Sequence, residues 1–246
     1  MNTIVRKIAL MLFFLISVSG VVSGQTTLYT TQDADNWSEP ASWSTVRLGV
    51  DNYANLIPCV NTGASVDVVI CSNTTVRFNL TQNLEIGNLT FEEGGKLIIN
   101  GDNYLKVASI SGPGDIELKS LANVRVGTQN ELRTFPDGNI VFNNNVTIDM
   151  TSGGVHRYGG IEILSGTATV KGNFVLSKNL KIAGGTFRFA DGANAKVTIG
   201  GDIEVASGAT LTSATSSSYK TELFVSGNIY NDGTIDFTDA SKQVTD

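Results

Sequence analysis

Residues 198–203 have the sequence Thr-Ile-Gly-Gly-Asp-Ile, in which one apolar segment ends, a turn follows and the next apolar segment begins. Residues 169–174 (TVKGNF) and 224–229 (FVSGNI) repeat this order. The same triplet of Gly, Asn or Asp, and an apolar residue begins at three further positions, Gly87, Gly114 and Gly138. Copies that recur every 24 to 34 residues in a chain without helical periodicity predict a repeat protein built from strands.

The sequence between the triplets consists of short segments that alternate apolar and polar residues. Residues 66–70 (VDVVI), 96–99 (KLII) and 196–199 (KVTI) are typical, and this alternation is the period of a half-buried strand. A unit of about 28 residues cannot bury its apolar faces alone, whereas stacked units share one continuous core. The pattern therefore predicts an all-β parallel β-helix, a solenoid. An antiparallel β-sandwich is the alternative, because its strands and turns have similar spacing.

The first 24 residues have the order of a secretory signal peptide. Arg6 and Lys7 precede an apolar run over residues 8–18, and small residues lead to Gly24. An uncleaved anchor is the alternative, but an apolar region of about 15 residues is shorter than the roughly 20 that a spanning helix needs. We therefore expect export, cleavage after Gly24 and no membrane span in the mature chain.

Residues 25–60 are predicted to cap the solenoid. This segment contains both tryptophans of the chain, Trp37 and Trp43. The first rung of a solenoid would otherwise expose unpaired strand edges and an open apolar core. Residues 61–246 are assigned to the β-helix repeats. Their last part resembles sequence from the middle of a solenoid, so we expect the chain to be part of a longer protein.

Cys59 and Cys71 are the two cysteines of the chain. In an oxidising compartment a single disulfide between them is the simplest interpretation. The bridge would close a loop of about a dozen residues, which corresponds to roughly 3 kcal/mol in the chain-entropy model. Two free thiols, or a metal site with additional ligands, are the alternatives.

Composition narrows the range of functions. The formal net charge is −6, and charged residues make up 16% of the chain. A nucleic-acid binder would normally carry a basic excess, and a disordered tail would be more highly charged. The single histidine excludes zinc-hydrolase motifs that need two. We therefore predict no enzymatic activity and no cofactor. A Ca²⁺ site would need several converging oxygen ligands, which the scattered aspartates of the turns do not indicate.

One segment is a candidate binding loop. His156, Arg157 and Tyr158 lie between two glycine pairs inside the longest interval between triplets. Such side chains could contact a sugar or a carboxylate on a protruding loop. The alternative is a solvated loop whose glycines serve only the turn.

The stretch from Trp37 to Trp43 (WSEPASW), followed by residues 67–70 and 84–91, carries a family resemblance. It resembles the start of large secreted surface proteins of Bacteroidetes-type bacteria, and it is similar to the G8 domain. The resemblance implies a right-handed β-helix at the cell surface, and such proteins often carry a C-terminal sorting domain for type IX secretion. The end of this chain does not resemble a sorting domain.

Together these observations predict a secreted, non-enzymatic, adhesin-like β-helix that acts as a stalk or a binding scaffold. The expected partners are an extracellular polysaccharide or a surface protein. A carbohydrate-binding or carbohydrate-active β-helix is the first alternative. A G8-like accessory module of a larger enzyme is the second.

Overall fold

The structure is a computed structural model, and it describes residues 26–47, 57–58, 66–79, 81–151, 154–189, 192–213 and 219–237. The predicted signal peptide and Cys59 lie outside the described residues. The described part of the chain is built almost entirely from short strands.

The strands, in chain order, are β1 (Thr26–Thr30), β2 (Trp43–Ser44), β3 (Val66–Ile70), β4 (Thr75–Phe78), β5 (Leu84–Phe91), β6 (Lys96–Ile99), β7 (Leu105–Ser111), β8 (Asp115–Leu118), β9 (Val124–Val126), β10 (Thr134–Phe142), β11 (Val146–Met150), β12 (His156–Ile163), β13 (Thr167–Gly172), β14 (Phe174–Leu176), β15 (Leu180–Ile182), β16 (Thr186–Phe189), β17 (Ala195–Ile199), β18 (Ile203–Val205), β19 (Thr210–Ser213), β20 (Thr221–Val225), β21 (Ile229–Asn231) and β22 (Thr234–Asp236). Short 3₁₀ helices span Pro40–Ser42 and Leu121–Asn123.

The strands stack into three ladders that run along the molecule. The N-terminal ladder has the order β2-β1-β3-β5-β7-β9, and the C-terminal ladder has the order β11-β13-β16-β19-β22. The central ladder runs β4-β6-β8-β10-β12 and then forks, one branch continuing through β14, β17 and β20 and the other through β15, β18 and β21. Within the described residues only β1 and β2 pair antiparallel. The parallel β-solenoid predicted from the sequence is confirmed, with about seven turns, and the β-sandwich alternative is wrong.

The rungs are shorter than the triplet spacing predicts. His156 pairs with Phe174, 18 positions later, and Thr198 pairs with Phe224, 26 positions later. From β3 onward the number of residues per rung lies between these two values, so the expected unit of about 28 residues is too long. The triplets do not mark one position in every rung. Leu89 of the Gly87 triplet lies within β5 of the N-terminal ladder, and Phe174 of the Gly172 triplet begins β14 of the central ladder. The apolar residues of the other four triplets, Ile116, Ile140, Ile203 and Ile229, share a different column of the central ladder.

The core is a stack of inward-facing side chains. One column on the central ladder contains Val76, Leu97, Ile116, Ile140, Ile161, Leu180 and Ile203, which are joined by strand register from rung to rung. All of them are buried. Burial of each such side chain contributes about 1.5–3 kcal/mol to the free energy of folding. The alternation in the sequence therefore corresponds to one inner and one outer side chain in turn.

The N-terminal end of the solenoid is covered by residues 26–44. Trp37 and Trp43 are completely buried, with their ring centroids 4.8 Å apart in an edge-to-face arrangement, and Trp37 also packs on Phe78 of β4. Asn36 forms a parallel bridge with Arg77 of the same strand, and β2 covers the outer edge of β1. The two ladders that begin here thus have their first strand edges shielded, which prevents edge-to-edge pairing.

One side of the solenoid has an interruption. The N-terminal ladder ends at β9 and the C-terminal ladder begins at β11, and these two strands do not pair with each other. Residues of both strands nevertheless line a common cleft. The interruption therefore leaves two strand edges on either side of a surface opening.

Candidate functional site

The structure places the candidate binding residues on strand β12, not on a protruding loop. His156 and Tyr158 point into the core and are buried, whereas Arg157 is exposed. The glycine pair after Tyr158 also belongs to the strand. A Cβ atom on Gly159 would lie 2.5 Å from the carbonyl oxygen of Gly138 in the preceding rung. The glycines therefore permit close stacking of rungs, which is why the loop assignment fails.

His156 and Tyr158 belong to a buried polar cluster. The Tyr158 hydroxyl donates to the carbonyl oxygen of Leu132 at 2.8 Å and lies 3.0 Å from Nδ1 of His156. Nε2 of His156 lies 3.8 Å from a carboxylate oxygen of Glu131, which also accepts a hydrogen bond from Arg133. Burial raises the pKa of the Tyr158 hydroxyl well above its ordinary value. The cluster is internal, so His156 and Tyr158 cannot touch an external ligand without local opening.

Polar side chains at the start of the central-ladder strands bind one another across rungs. Nδ2 of Asn139 donates to Asp115 at 2.9 Å. The carboxylate of Asp202 accepts from the backbone N–H of Asn228 at 2.7 Å, and the Asp202 N–H donates to the side chain of Asn179 at 2.9 Å. These residues satisfy each other's backbone and side-chain groups at the corner. The Asn and Asp of four triplets thus have an identifiable structural role.

The outer face of the same ladder carries alternating charges. Glu162, Lys181 and Glu204 occupy equivalent positions in three successive rungs, and Tyr230 follows in the next. Nζ of Lys181 lies 2.9 Å from Glu162, and this contact raises the pKa of Lys181. A groove of about 460 Å³ runs beside Glu162 and Lys181. The face of this branch is therefore polar and ion-paired, and the exposed ring of Tyr230 lies at its end.

The cleft between β9 and β11 is the second candidate site. It has a volume of about 310 Å³ and is lined by Asp102, Tyr104, Lys119, Ser120, Ala122, Asn123, Arg125, Asn145, Val146 and Thr147. The guanidinium of Arg125 lies over the Tyr104 ring, 3.5 Å from its centroid. Asn123 anchors the wall of the cleft, because its amide donates to the carbonyl oxygens of Gly101 and Asn103. We call this feature the Arg125 cleft.

The Arg125 cleft could not be predicted from the sequence. The side chains that line it come from three separate segments, residues 102–104, 119–125 and 145–147, and the break between two ladders brings them together. The nearest local signal is Ser120, whose side chain caps the 3₁₀ helix that precedes β9. That signal marks a helix start but does not indicate a ligand.

The sequence also led to predictions about the two cysteines, metal binding and membrane spans. Cys71 is buried at the end of β3, but Cys59 lies outside the described residues, so the disulfide stays a prediction. Among the described residues no group of three or more His, Cys, Asp and Glu is placed to hold a metal ion. No helix in the described ranges is long and apolar enough to cross a membrane.

Comparison with known proteins gives no relative. No family model, no curated protein and no solved structure matches this chain. The resemblance to Bacteroidetes-type surface proteins and to the G8 domain therefore stays a prediction from the residues that carry it.

Proposed function

We propose that this chain is an exported, non-enzymatic β-solenoid that serves as a stalk or binding scaffold at the cell surface. The observation that carries the proposal is the continuous column of buried side chains on the central ladder, from Val76 to Ile203. Parallel ladders of this kind give a scaffold in which each rung is fixed by its neighbours. The export part of the proposal rests on the signal-like first 24 residues.

The outer polar groups support the same proposal. The turn residues Asn139, Asp115 and Asp202 are engaged in hydrogen bonds between rungs, and Glu162 is ion-paired with Lys181. Carboxylates held in this way serve the stacking of the solenoid. Catalysis of glycoside hydrolysis would instead require two carboxyl groups that face a common bond, one of them with a raised pKa.

A carbohydrate-binding solenoid is the second candidate, and the groove beside Glu162 and Lys181 is the observation that favours it. A sugar-binding face would be expected to present a line of aromatic side chains. The exposed aromatic residues among the described ones, Phe224 and Tyr230, lie in one rung on different branches of the central ladder. This arrangement favours the scaffold as the primary role. A G8-like accessory module of a larger enzyme is a third proposal. Sequencing of the gene beyond this chain tests it, because that proposal requires a catalytic domain in the same protein.

Two experiments test the proposal. Expression of the whole chain with its own first 24 residues in a bacterial host should release a mature protein that begins at Gln25, as read by N-terminal sequencing. Incubation of that protein with a panel of polysaccharides should release no reducing ends and no unsaturated sugar products. Retention of residues 1–24 would contradict export by cleavage, and turnover of any polysaccharide would contradict the non-enzymatic role.

A further inference from the structure

The Arg125 cleft lies where the regular pairing of strands along the solenoid is interrupted. Elsewhere along this side each strand pairs with the strands above and below it, but the facing edges of β9 and β11 do not pair. The resulting volume of about 310 Å³ is at the lower end of the roughly 300–1,000 Å³ that small-molecule sites occupy. A single sugar ring is an appropriate size for it.

Among the described residues around the cleft, Arg125 is the cation that no carboxylate pairs with. Lys106 pairs with Glu85 and Lys119 pairs with Asp102. Arg125 has no ion pair among the described residues, and its Nε is buried without a hydrogen-bond partner there. A buried donor without a partner is costly. The planar fork of a guanidinium matches a carboxylate, which can accept two parallel N–H bonds.

Tyr104 fixes the orientation of that guanidinium. Its ring lies 3.5 Å from Cζ of Arg125, so the guanidinium stacks on the ring as arginine side chains do on aromatic faces. A stacked guanidinium loses less conformational freedom when a ligand binds than a mobile side chain would. Arg125 is therefore preorganised for an anion.

The rest of the rim offers neutral polar groups. Thr147 presents an exposed side chain from β11, and Asn145 uses its side-chain oxygen to accept from the N–H of Thr167. The Asn145 amide nitrogen is a donor, and a threonine hydroxyl both donates and accepts. This combination suits a ligand that carries hydroxyl groups next to its charge.

We propose that the Arg125 cleft binds a hexuronate residue of an acidic polysaccharide, with the carboxylate on the Arg125 guanidinium and the ring hydroxyls against Asn145 and Thr147. The site does not depend on the scaffold role, since a solenoid can present it with or without a stalk function. It also differs in place from the groove beside Lys181.

The test is calorimetric titration of the mature protein with D-glucuronate, D-glucose and acetate. We expect saturable binding of glucuronate, and binding at least tenfold weaker for glucose, which lacks the charge, and for acetate, which lacks the ring. Arg125→Gln should weaken glucuronate binding at least tenfold. Arg188→Gln is the matched control, because Nε of Arg188 is also buried without a partner but lies on β16 within a continuous ladder. That variant should bind within about twofold of the parent protein.

A second variant separates loss of binding from loss of folding, in case Arg125→Gln does not fold. Thr147 is exposed, so Thr147→Glu should fold normally and place a carboxylate in the cleft that competes with the ligand for Arg125. We expect it to weaken glucuronate binding at least tenfold, with an unchanged thermal unfolding temperature. The proposal is wrong if the parent protein shows no saturable glucuronate binding, if a folded Arg125→Gln or Thr147→Glu binds as the parent does, or if acetate or glucose binds as well as glucuronate.

Discussion

The Tyr158 hydroxyl donates its single proton to the Leu132 carbonyl, so its oxygen accepts a hydrogen bond from Nδ1 of His156. This relationship fixes the tautomer of the histidine, because Nδ1 must carry a proton. Nε2 of the same ring lies 3.8 Å from a carboxylate oxygen of Glu131. The cluster therefore joins β12 to the segment before β10 through a directed chain of hydrogen bonds.

Replacement of the Tyr158 hydroxyl tests this chain. Tyr158→Phe keeps the ring but leaves the Leu132 carbonyl and the His156 N–H buried without their partner. We expect the free energy of unfolding to fall by about 1–3 kcal/mol, measured by urea denaturation at neutral pH. Tyr230→Phe is the control, since Tyr230 is 55% exposed, and its unfolding free energy should change by less than about 0.5 kcal/mol. Equal effects of the two variants would contradict the assignment.

Glu92 should govern part of the acid sensitivity of the fold. Arg47 contacts this carboxylate through two nitrogens and Ser72 donates to it from its N–H and hydroxyl. These contacts lower the pKa of Glu92 to about 2. A lowered folded-state pKa gives stability that is present above the unfolded-state pKa, near 4.5, and is lost as the pH falls toward 2.

The measurement is the free energy of unfolding between pH 5 and pH 2 in urea. Glu92→Gln should show a shallower decline over this range than the parent protein, because the glutamine has no proton to take up. Glu93→Gln alters the neighbouring exposed side chain and should keep the parent's slope. A Glu92→Gln protein that loses stability as steeply as the parent would show that other carboxylates control the acid limb.

Gly112 shows where the stacking of rungs requires glycine. Its φ is +99°, and a Cβ there would lie 1.9 Å from the carbonyl oxygen of Phe91. We expect Gly112→Ala to lower the free energy of unfolding by at least about 3 kcal/mol, or to prevent folding, because backbone atoms cannot move aside easily.

Gly208→Ala is the matched control for backbone strain. Gly208 has a φ of +79° and no atom within 4 Å of the added Cβ, so only the cost of the left-handed conformation remains, roughly 1–2 kcal/mol. Chemical denaturation of both variants separates steric clash from strain. Equal losses in the two would mean that the close approach of Gly112 to Phe91 has no energetic role.

The predicted disulfide between Cys59 and Cys71 can be tested by counting reactive thiols. If Cys59 and Cys71 form a disulfide, the exported protein has no thiol that reacts with a chromogenic disulfide reagent in denaturant. After reduction, two thiols per chain should react. Reaction of two thiols before reduction would contradict the bridge.

The strands were predictable from local sequence. Residues 66–70 and 96–99 alternate apolar and polar side chains, and the structure has β3 and β6 with these bounds. The solenoid followed from this alternation together with the triplets, since units with one apolar face must stack. The inner column of the central ladder, from Val76 to Ile203, is the shared core that this stacking produces.

The length of the rungs and the burial of His156 on a strand were not predictable from local sequence. Triplets at different places in the rung look alike in sequence, so their spacing did not give the rung length. The glycine pair at Gly159 and Gly160 resembled a turn, although its small size serves the approach of Gly138 and Asn139 from the preceding rung. Such contacts depend on register between distant segments, as does the meeting of Arg125 with the edge of β11.

The most direct test of the stacked scaffold is a series of distances along its central ladder. Arg77, Glu162, Glu204 and Tyr230 lie in one register column of the central ladder, which is linked through Ile98, Glu117, Val141 and Lys181 in the intervening rungs. Each rung should add about 4.8 Å. One spin label is placed at Arg77 and the second at Glu162, Glu204 or Tyr230. Double electron–electron resonance should then give mean backbone separations of about 19, 29 and 34 Å, with narrow distributions. Separations that fail to increase in this order, or distributions broad enough to overlap fully, would contradict the account.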